Sequence, residues 1–164
     1  MKLTVRTWPD PVLLEPCSPW DFAQPPVSDI DQLETDLIDT MLEEHGIGLA
    51  ANQVGYQFRV LAMHIQENSQ VIVMYNPMLK HASQEQWLAP EGCLSFPGVE
   101  LEIARPKYAT AQWQDRDGEW QERMLQDIDA KCFLHELDHL NGVTFKNHVS
   151  DLRFQTATKR ARKR

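Results

Sequence analysis

The sequence lacks the features that mark several large classes of protein. It contains only 7 glycines among 164 residues, and no glycine-rich loop of the kind that cradles nucleotide phosphates. No apolar run approaches the ~18 residues that cross a bilayer as a helix, so we expect no membrane partner. Basic side chains are also few, 16 against 24 acidic ones, and the net charge is −8. An acidic chain repels nucleic acid, which argues against a sequence-specific DNA- or RNA-binding domain.

Cysteine is scarce as well. The 3 cysteines are an odd number, and the first residues contain no apolar segment of the kind that a secretory signal requires. We therefore expect a reducing, cytoplasmic environment and not a framework of disulfides. With 42% hydrophobic and 24% charged residues, the composition is that of an ordinary globular chain, which excludes disordered and collagen-like proteins.

Apolar residues recur with two different periods along the chain. Residues 29–45 have helical spacing, with Ser28 as the expected N-cap, and residues 127–141 form a second predicted helix. Asn76 and Pro77 are expected to end a strand. The short apolar or alternating runs that predict strands are 60–63, 71–75, 99–103, 108–114 and 120–125. This order predicts an α+β fold, with an N-terminal helix and mainly antiparallel sheets packed around the second helix.

The chain is organised as one domain followed by a charged end. Residues 1–150 contain every motif discussed below, and we expect them to form a single catalytic domain. Residues 151–164 form a basic C-terminal tail, which is either a solvated terminus or an element that docks on a polyanion. Its cations are Lys159, Arg160, Arg162, Lys163 and Arg164.

The second predicted helix carries an HExxH motif. Residues four apart on a helix differ by only about 40° in direction, so His135 and His139 project from one face and can both bind a single cation. Glu136 lies about 100° around the helix, where it can reach a water molecule on the cation without being a ligand. Two histidines are not enough, because catalytic zinc-type sites use three protein ligands and leave one position open.

The third ligand is expected upstream of the motif. Downstream there is only His148, whose spacing fits the common HExxH proteases poorly. Cys93 lies in a Gly-, Ser- and Pro-rich context that is typical of a turn, where a thiolate can reach a metal. Cys132 is better explained as a small core residue, and Cys17 has no chemical companions in its proline-rich segment.

The segment Gly46–Gln53 is rich in small residues, which let a ligand or another backbone approach closely. Gln53 could place an amide donor in a cleft. On its own this pattern is equally well explained as a tight turn after a helix, with an exposed glutamine.

Three segments, in this order, resemble the peptide deformylase family. They are Gly46–Gln53 (GxGxAAxQ), Glu91–Ser95 (EGCLS) and His135–Gly142 (HExxHLxG), and Pro9–Leu13 resembles the N-terminal stretch of the family. The resemblance covers residues from about 5 to about 150 and implies removal of the formyl group from N-formylmethionine at the start of new polypeptides.

The resemblance implies a metal site made by Cys93, His135 and His139. It also implies Fe(II) as the native metal, with zinc binding tightly but supporting less activity. The donor set alone suits zinc, iron, cobalt or nickel, so the spacing does not select among them.

The resemblance assigns roles to five further positions. Glu136 would be the general base and acid for water that the metal activates. Gln53 and the backbone N–H of Leu94 would stabilise the developing oxyanion. The backbone around Ile47 and Gly48 would pair with the extended substrate as an added strand.

Two positions depart from the family's pattern. Leu134 precedes the HExxH motif where the family often has glutamine, which should leave the chemistry intact. Glu100 stands where members often carry an arginine near the substrate side chain, and Arg105 lies further along. The side-chain preference beyond formylmethionine is therefore open.

Two other functions compete with a deformylase. An HExxH zinc endopeptidase would cleave internal peptide bonds, but it leaves Cys93 without a role. A non-catalytic, ribosome-associated binder predicts a broken motif, whereas the ligands, Glu136 and Gln53 are all present. Whether the protein is a deformylase or a non-catalytic binder, the basic tail is a candidate ribosome-docking element, because ribosomal RNA is polyanionic.

Overall fold

The structure, a computed structural model, describes residues 1–163. Its helices are α1 (Ile30–Glu43), α2 (Asp127–Leu140) and α3 (Asp151–Arg162), with 3₁₀ helices at Pro11–Leu14, Ala51–Val54 and Phe145–His148. Its strands are β1 (Gly48–Ala50), β2 (Val60–His64), β3 (Val71–Ala82), β4 (Gln86–Gly92), β5 (Glu100–Pro106), β6 (Tyr108–Gln114) and β7 (Trp120–Gln126). Among these helices, none combines the length and the apolar composition that a bilayer crossing requires.

The strands form two antiparallel sheets. The larger has the order β1-β2-β3-β6-β7, and the smaller pairs β4 with β5. Helix α2 lies between them, in contact with β1 and β2 of the larger sheet and with β5 of the smaller. The predicted α+β fold with mainly antiparallel sheets is confirmed.

The larger sheet is buried on both faces where it meets the helices. Leu61 and Met63 of β2 pack in the core cluster that includes the apolar residues of α2, whereas Val60 and Ala62 pack with the residues of α1. Successive side chains of a strand point to opposite faces, so a strand covered on both faces needs a continuous apolar run. This requirement explains the uninterrupted Val-Leu-Ala-Met sequence of β2.

Helix α1 begins one residue later than expected. The side chain of Asp29, and not that of Ser28, accepts a hydrogen bond from the N–H of Gln32 and caps the helix. The chain then leaves the helix through His45, which has a φ of 58°, and reaches Gly46. This turn sets the direction in which the Gly46–Gln53 segment approaches α2.

Strand β3 does not end at Asn76 and Pro77. It continues to Ala82, because a bulge between Tyr75 and Met78 lets Asn76 and Pro77 together oppose one residue of β6. Asn76 has a φ of 48°, and its amide bonds the backbone N–H and C=O of Trp20. Strand β4 was not predicted at all, since its register against β5 comes from a partner distant in sequence.

Residues 151–162, the start of the predicted tail, form helix α3. Ser150 caps it, and Phe154, Ala157 and Ala161 pack against the buried Phe96 and its neighbours. The cations Lys159, Arg160, Arg162 and Lys163 are exposed, and Arg164 lies outside the described residues. The division of the chain at residue 150 stays a prediction.

Candidate active site

Three potential metal ligands converge at the centre of the molecule. The Nε2 atoms of His135 and His139 lie 3.2 Å apart, and the Sγ of Cys93 lies 3.3 Å from Nε2 of His139. One ligand atom from each residue falls within 4.8 Å of the others. The two histidines are on adjacent turns of α2, and the cysteine is on the loop that follows β4.

The donor set fits a divalent metal of the zinc or iron type. With metal–ligand bonds of about 2.0–2.3 Å, tetrahedral coordination separates neighbouring donors by roughly 3.3–3.7 Å, close to the separations found here. A thiol and two imidazoles are ligands that such metals prefer. The structure brings together all three residues that the sequence singled out.

Glu91 orients one of these ligands. Its Oε1 accepts a hydrogen bond from Nδ1 of His135 at 2.8 Å, which directs Nε2 of that ring toward the other two donors. Arg105 donates to both carboxylate oxygens of Glu91, at 2.6 and 3.0 Å, and Lys131 donates to Oε2 at 2.9 Å. Burial by itself would raise the pKa of Glu91, but the hydrogen bonds from His135 and Arg105 hold it well below its usual range.

The network extends from Arg105 toward the surface. Arg105 also donates to Oδ2 of Asp138 at 3.0 Å, and the same oxygen lies 2.7 Å from Nε2 of His148. His148 is therefore tied to the site through two other side chains and does not join the ligand cluster. Because Arg105 is only 4% exposed and is hydrogen-bonded to both Glu91 and Asp138, it supports the ligand helix and is not available to a substrate.

Glu136 is buried beside the ligand cluster. Burial raises the pKa of its carboxyl group to about 7, although the neighbouring His135 acts in the opposite direction. Its Oε2 has no hydrogen-bond partner among residues 1–163. A carboxyl group that titrates near neutral pH can both accept and return a proton, which is the property that a general base and acid requires.

Gln53 is buried, not exposed on a turn. Its Oε1 accepts a hydrogen bond from the N–H of Ala50 at 2.9 Å, which fixes the amide. The Nε2 then donates to Oγ of Ser95 at 3.1 Å and lies 3.7 Å from Sγ of Cys93. Leu94 lies between Cys93 and Ser95 in the chain. Both predicted oxyanion donors, Nε2 of Gln53 and the backbone N–H of Leu94, therefore lie beside the ligand cluster.

The cluster opens onto a cavity of about 490 Å³. Gly48, on the end strand β1 of the larger sheet, and the preceding residue Ile47 line one side of it. The carbonyl of Ile47 accepts a hydrogen bond from His64 of β2 at 2.8 Å. In an antiparallel pair the bonding direction alternates, so the N–H and C=O of Gly48 point away from β2 toward the cavity.

The comparisons with known proteins agree with this arrangement. A family model described as polypeptide deformylase matches residues 2–155. The chain belongs to the peptide deformylase family. Members of this family are metal-dependent hydrolases that remove formyl groups from the N-termini of nascent polypeptides, and the resemblance drawn from the three motifs is confirmed.

Relatives span most of the chain. A peptide deformylase of Bartonella quintana (strain Toulouse) is 36% identical over 159 residues, which is 95% of this chain and 89% of the relative. A peptide deformylase of Wolbachia pipientis wMel is 41% identical over 145 residues, which is 82% of this chain and 81% of the relative.

Solved deformylase structures share the fold. A crystal structure of a peptide deformylase from Legionella pneumophila matches with a TM-score of 0.90 at 30% identity, covering 99% of this chain and 95% of that chain. The peptide deformylase of Ehrlichia chaffeensis in complex with actinonin matches with a TM-score of 0.89 at 32% identity, covering 99% of this chain and 96% of that chain. A Met-Ala-Ser-bound class I type b peptide deformylase of Acinetobacter baumannii matches with a TM-score of 0.84 at 29% identity, covering 91% of this chain and 99% of that chain.

Sequence reasoning missed the charged residues that support the site. In the sequence Glu91 stands out only as part of a motif. The available signal for Lys131 is its place on the inward face of α2, since a buried lysine needs a partner. Glu100 lines the cavity and is exposed. Cys17 and Cys132 are buried free thiols that do not belong to the ligand cluster.

Proposed function

We propose that this protein hydrolyses the formamide of N-formylmethionyl polypeptides at a metal site formed by Cys93, His135 and His139. The observation that supports the proposal most strongly is the convergence of these three donors within 4.8 Å, beside a buried carboxyl group and an open strand edge. A divalent cation bound there supplies a Lewis acid that lowers the pKa of a water molecule.

The groups around the cation transfer the proton and stabilise the developing negative charge. Glu136 accepts a proton from the attacking water and returns it to the nitrogen of the leaving amine. The developing negative charge on the formyl oxygen is stabilised by Nε2 of Gln53 and by the N–H of Leu94. Gln53 contributes with little reorganisation, because its carbonyl oxygen is already fixed on Ala50.

The substrate backbone would bind along the free edge of β1. The outward-directed N–H and C=O of Gly48 offer a donor and an acceptor to an extended peptide, which is the usual form of strand addition. The deformylase of Acinetobacter baumannii has been solved with bound Met-Ala-Ser, a tripeptide that begins with methionine. A formylated peptide in the same place would present its methionine side chain to the cavity.

We propose Fe(II) as the native metal, with zinc, nickel or cobalt able to replace it. The Cys/His₂ donor set supports this group of metals without selecting among them, and the choice of iron follows from the family. A ferrous ion bound by a thiolate is sensitive to oxygen. Activity of the iron-loaded protein should therefore decay faster in air than that of the nickel-loaded protein, and equal lifetimes would contradict the assignment.

The experiment that tests the activity uses metal-loaded protein and formyl-Met-Ala-Ser. We expect release of formate and of Met-Ala-Ser, measured by a formate assay and by mass spectrometry. An endopeptidase would instead leave the formyl group on a shortened peptide. Neither product would appear if the protein were a non-catalytic binder.

The exposed cations of α3 support a further proposal, that this end of the chain docks on the ribosome. Charge reversal of Lys159, Arg160 and Arg162 to glutamate should weaken co-sedimentation with ribosomes, most clearly at low salt. Hydrolysis of the tripeptide should be unchanged, because these side chains are exposed on α3 and do not line the cavity. Undiminished co-sedimentation would contradict the proposal.

We also propose the cytoplasm as the compartment. The three cysteines are free thiols, which suits a reducing environment, and nascent formylated chains are made there.

A further inference from the structure

Asn52 is a buried amide that joins the segment of Gln53 to the helix that carries two of the ligands. It lies in the 3₁₀ helix Ala51–Val54, and its side chain is 0% exposed. Its Nδ2 donates to the backbone carbonyl of His139 at 2.6 Å. A carbonyl can only accept a hydrogen bond, so the nitrogen of the amide, and not its oxygen, faces α2. The side chain thus forms a direct link between the two segments.

The hydrogen bond of Asn52 is not required to satisfy the end of α2. The carbonyl of His139 also accepts the N–H of Gly142 at 3.0 Å. At the other end of the amide, Oδ1 of Asn52 has no partner within residues 1–163. Burial of a polar atom without a partner costs stability, and an apolar side chain of similar shape avoids this cost. Stability alone therefore does not account for an asparagine at this position.

The attachment of Asn52 does fix the orientation of the next residue. Successive side chains of a 3₁₀ helix point about 120° apart, so holding Asn52 on α2 sets the direction of Gln53. Nε2 of Gln53 lies 3.1 Å from Oγ of Ser95 and 3.7 Å from Sγ of Cys93. The N–H of Arg6 also bonds the carbonyl of Gln53, at 2.6 Å. That bond relates the turn to the N-terminal segment, whereas the bond of Asn52 relates it to the ligand helix.

We propose that Asn52 is a positioning residue, which holds the amide of Gln53 where the formyl oxygen becomes negatively charged. The inference rests on the proposed deformylase function and adds a residue that does not line the cavity. A donor stabilises an oxyanion efficiently only when it is already directed at the place where the charge develops. A displacement of about 1 Å can cost about 100-fold in rate.

Asn52→Leu removes the amide and keeps a similar side-chain shape. With formyl-Met-Ala-Ser, kcat of the metal-loaded variant should fall by about 10- to 100-fold. KM should change by less than about twofold, because the lost interaction is made in the transition state. Metal content and the urea midpoint should stay close to those of the wild type, since the three donors and the bond from Gly142 remain. A purely structural role predicts the reverse, a lower midpoint with an unchanged kcat of the folded protein.

A double variant tests whether Asn52 acts through Gln53. Gln53→Ala should lower kcat by itself, because it removes an oxyanion donor. Addition of Asn52→Leu should lower kcat by no more than about a further twofold, since the amide that Asn52 positions is already absent. Additive losses would show that Asn52 acts by another route and would overturn the proposal.

Asn147→Leu is the matched control. Asn147 lies in another 3₁₀ helix, Phe145–His148, and its Oδ1 accepts the N–H of Thr144 at 3.0 Å. It is exposed and does not line the cavity, so its variant should keep the wild-type kcat. If Asn52→Leu does not fold, Asn52→Ala takes its place with the same expectations.

A spectroscopic measurement separates the role of Asn52 from the proposed function. In zinc-loaded protein labelled with ¹⁵N-glutamine, the side-chain NH₂ signal of Gln53 is identified by its loss in Gln53→Ala. This signal should shift in Asn52→Leu and stay in place in Asn147→Leu. An unshifted signal, or a wild-type kcat in folded Asn52→Leu, would overturn the role of Asn52. Absence of formate with fully metal-loaded wild-type protein would instead overturn the proposed function, whatever the signal does.

Discussion

Glu91 binds Nδ1 of His135 at 2.8 Å, so a carboxylate from β4 determines which way a potential metal ligand on α2 faces. The same carboxylate is paired with two buried cations, Arg105 and Lys131. One residue therefore joins the ligand helix to the smaller sheet and keeps two positive charges paired in the interior.

Replacement of Glu91 by glutamine should impair both stability and metal binding. The change leaves Lys131 buried without its ion-pair partner, which typically costs about 3–5 kcal/mol in the free energy of unfolding. Loss of the partner of a ligating histidine typically weakens metal binding by about 10–100-fold. Urea denaturation and metal titration measure the two effects. Glu122→Gln, in an exposed ion pair, is the control and should cost less than about 1 kcal/mol.

Removal of any one ligand should remove the metal. Cys93→Ala, His135→Ala and His139→Ala should each fail to retain stoichiometric metal, and activity should be lost with it, because catalytic sites of this type depend on three protein ligands. Cys132→Ala should retain the metal, since its thiol bonds the carbonyl of Ile47 and lies outside the ligand cluster. Full metal content in Cys93→Ala, measured by elemental analysis, would show that the third ligand is misassigned.

Glu136→Gln should separate metal binding from chemistry. The variant should bind metal normally, because Glu136 is not one of the three donors. Turnover of formyl-Met-Ala-Ser should fall by about 10²–10⁴-fold or more, as expected when a general base and acid is lost. Metal content and kcat are measured on the same preparation. A kcat near that of the wild type would exclude Glu136 from the mechanism.

Gly48→Ala should disturb the position of Glu136. A Cβ atom at residue 48 would lie 2.7 Å from Oε1 of Glu136 and 2.7 Å from Sγ of Cys132, so those side chains must move. A displacement of about 1 Å in a catalytic group can cost about 100-fold in rate. Gly92→Ala is the matched control, because a Cβ there meets nothing within 4 Å. Equal kcat values for the two variants would contradict the tight approach.

The thiol of Cys17 should react slowly in the folded protein. Burial raises its pKa to about 11, although Arg59 acts in the opposite direction. The thiolate is the reactive form, so at about pH 8 only about one molecule in a thousand would carry it, and the rate should rise as the pH approaches the pKa. Alkylation followed by mass spectrometry across a pH series measures this rate. The same thiol in urea-unfolded protein should react much faster at pH values near 8.

Short-range regularities made much of this protein predictable from its sequence. Helical spacing located α1 and α2 to within two residues at either end, and the i, i+4 relation placed His135 and His139 on one face. The order of three motifs indicated the family and nominated Cys93 as the third ligand. The helix bounds and the family are confirmed, because each depends on residues that are neighbours along the chain or on a pattern the family repeats. Cys93 as the third ligand stays a prediction, which the convergence of the three donors supports.

The tertiary structure alone decided which distant residues support the site. Strand β4 forms only by pairing with β5, and that pairing brings Glu91 to His135, 44 positions further along the chain. The partners of Lys131, which are Glu91 and the carbonyl of Ile103, come from the same pair of strands, and no local pattern identifies them. Hydrogen bonds and ion pairs of this kind depend on how the sheets close around α2, because a charged side chain is stable in the interior only where the fold supplies its partner.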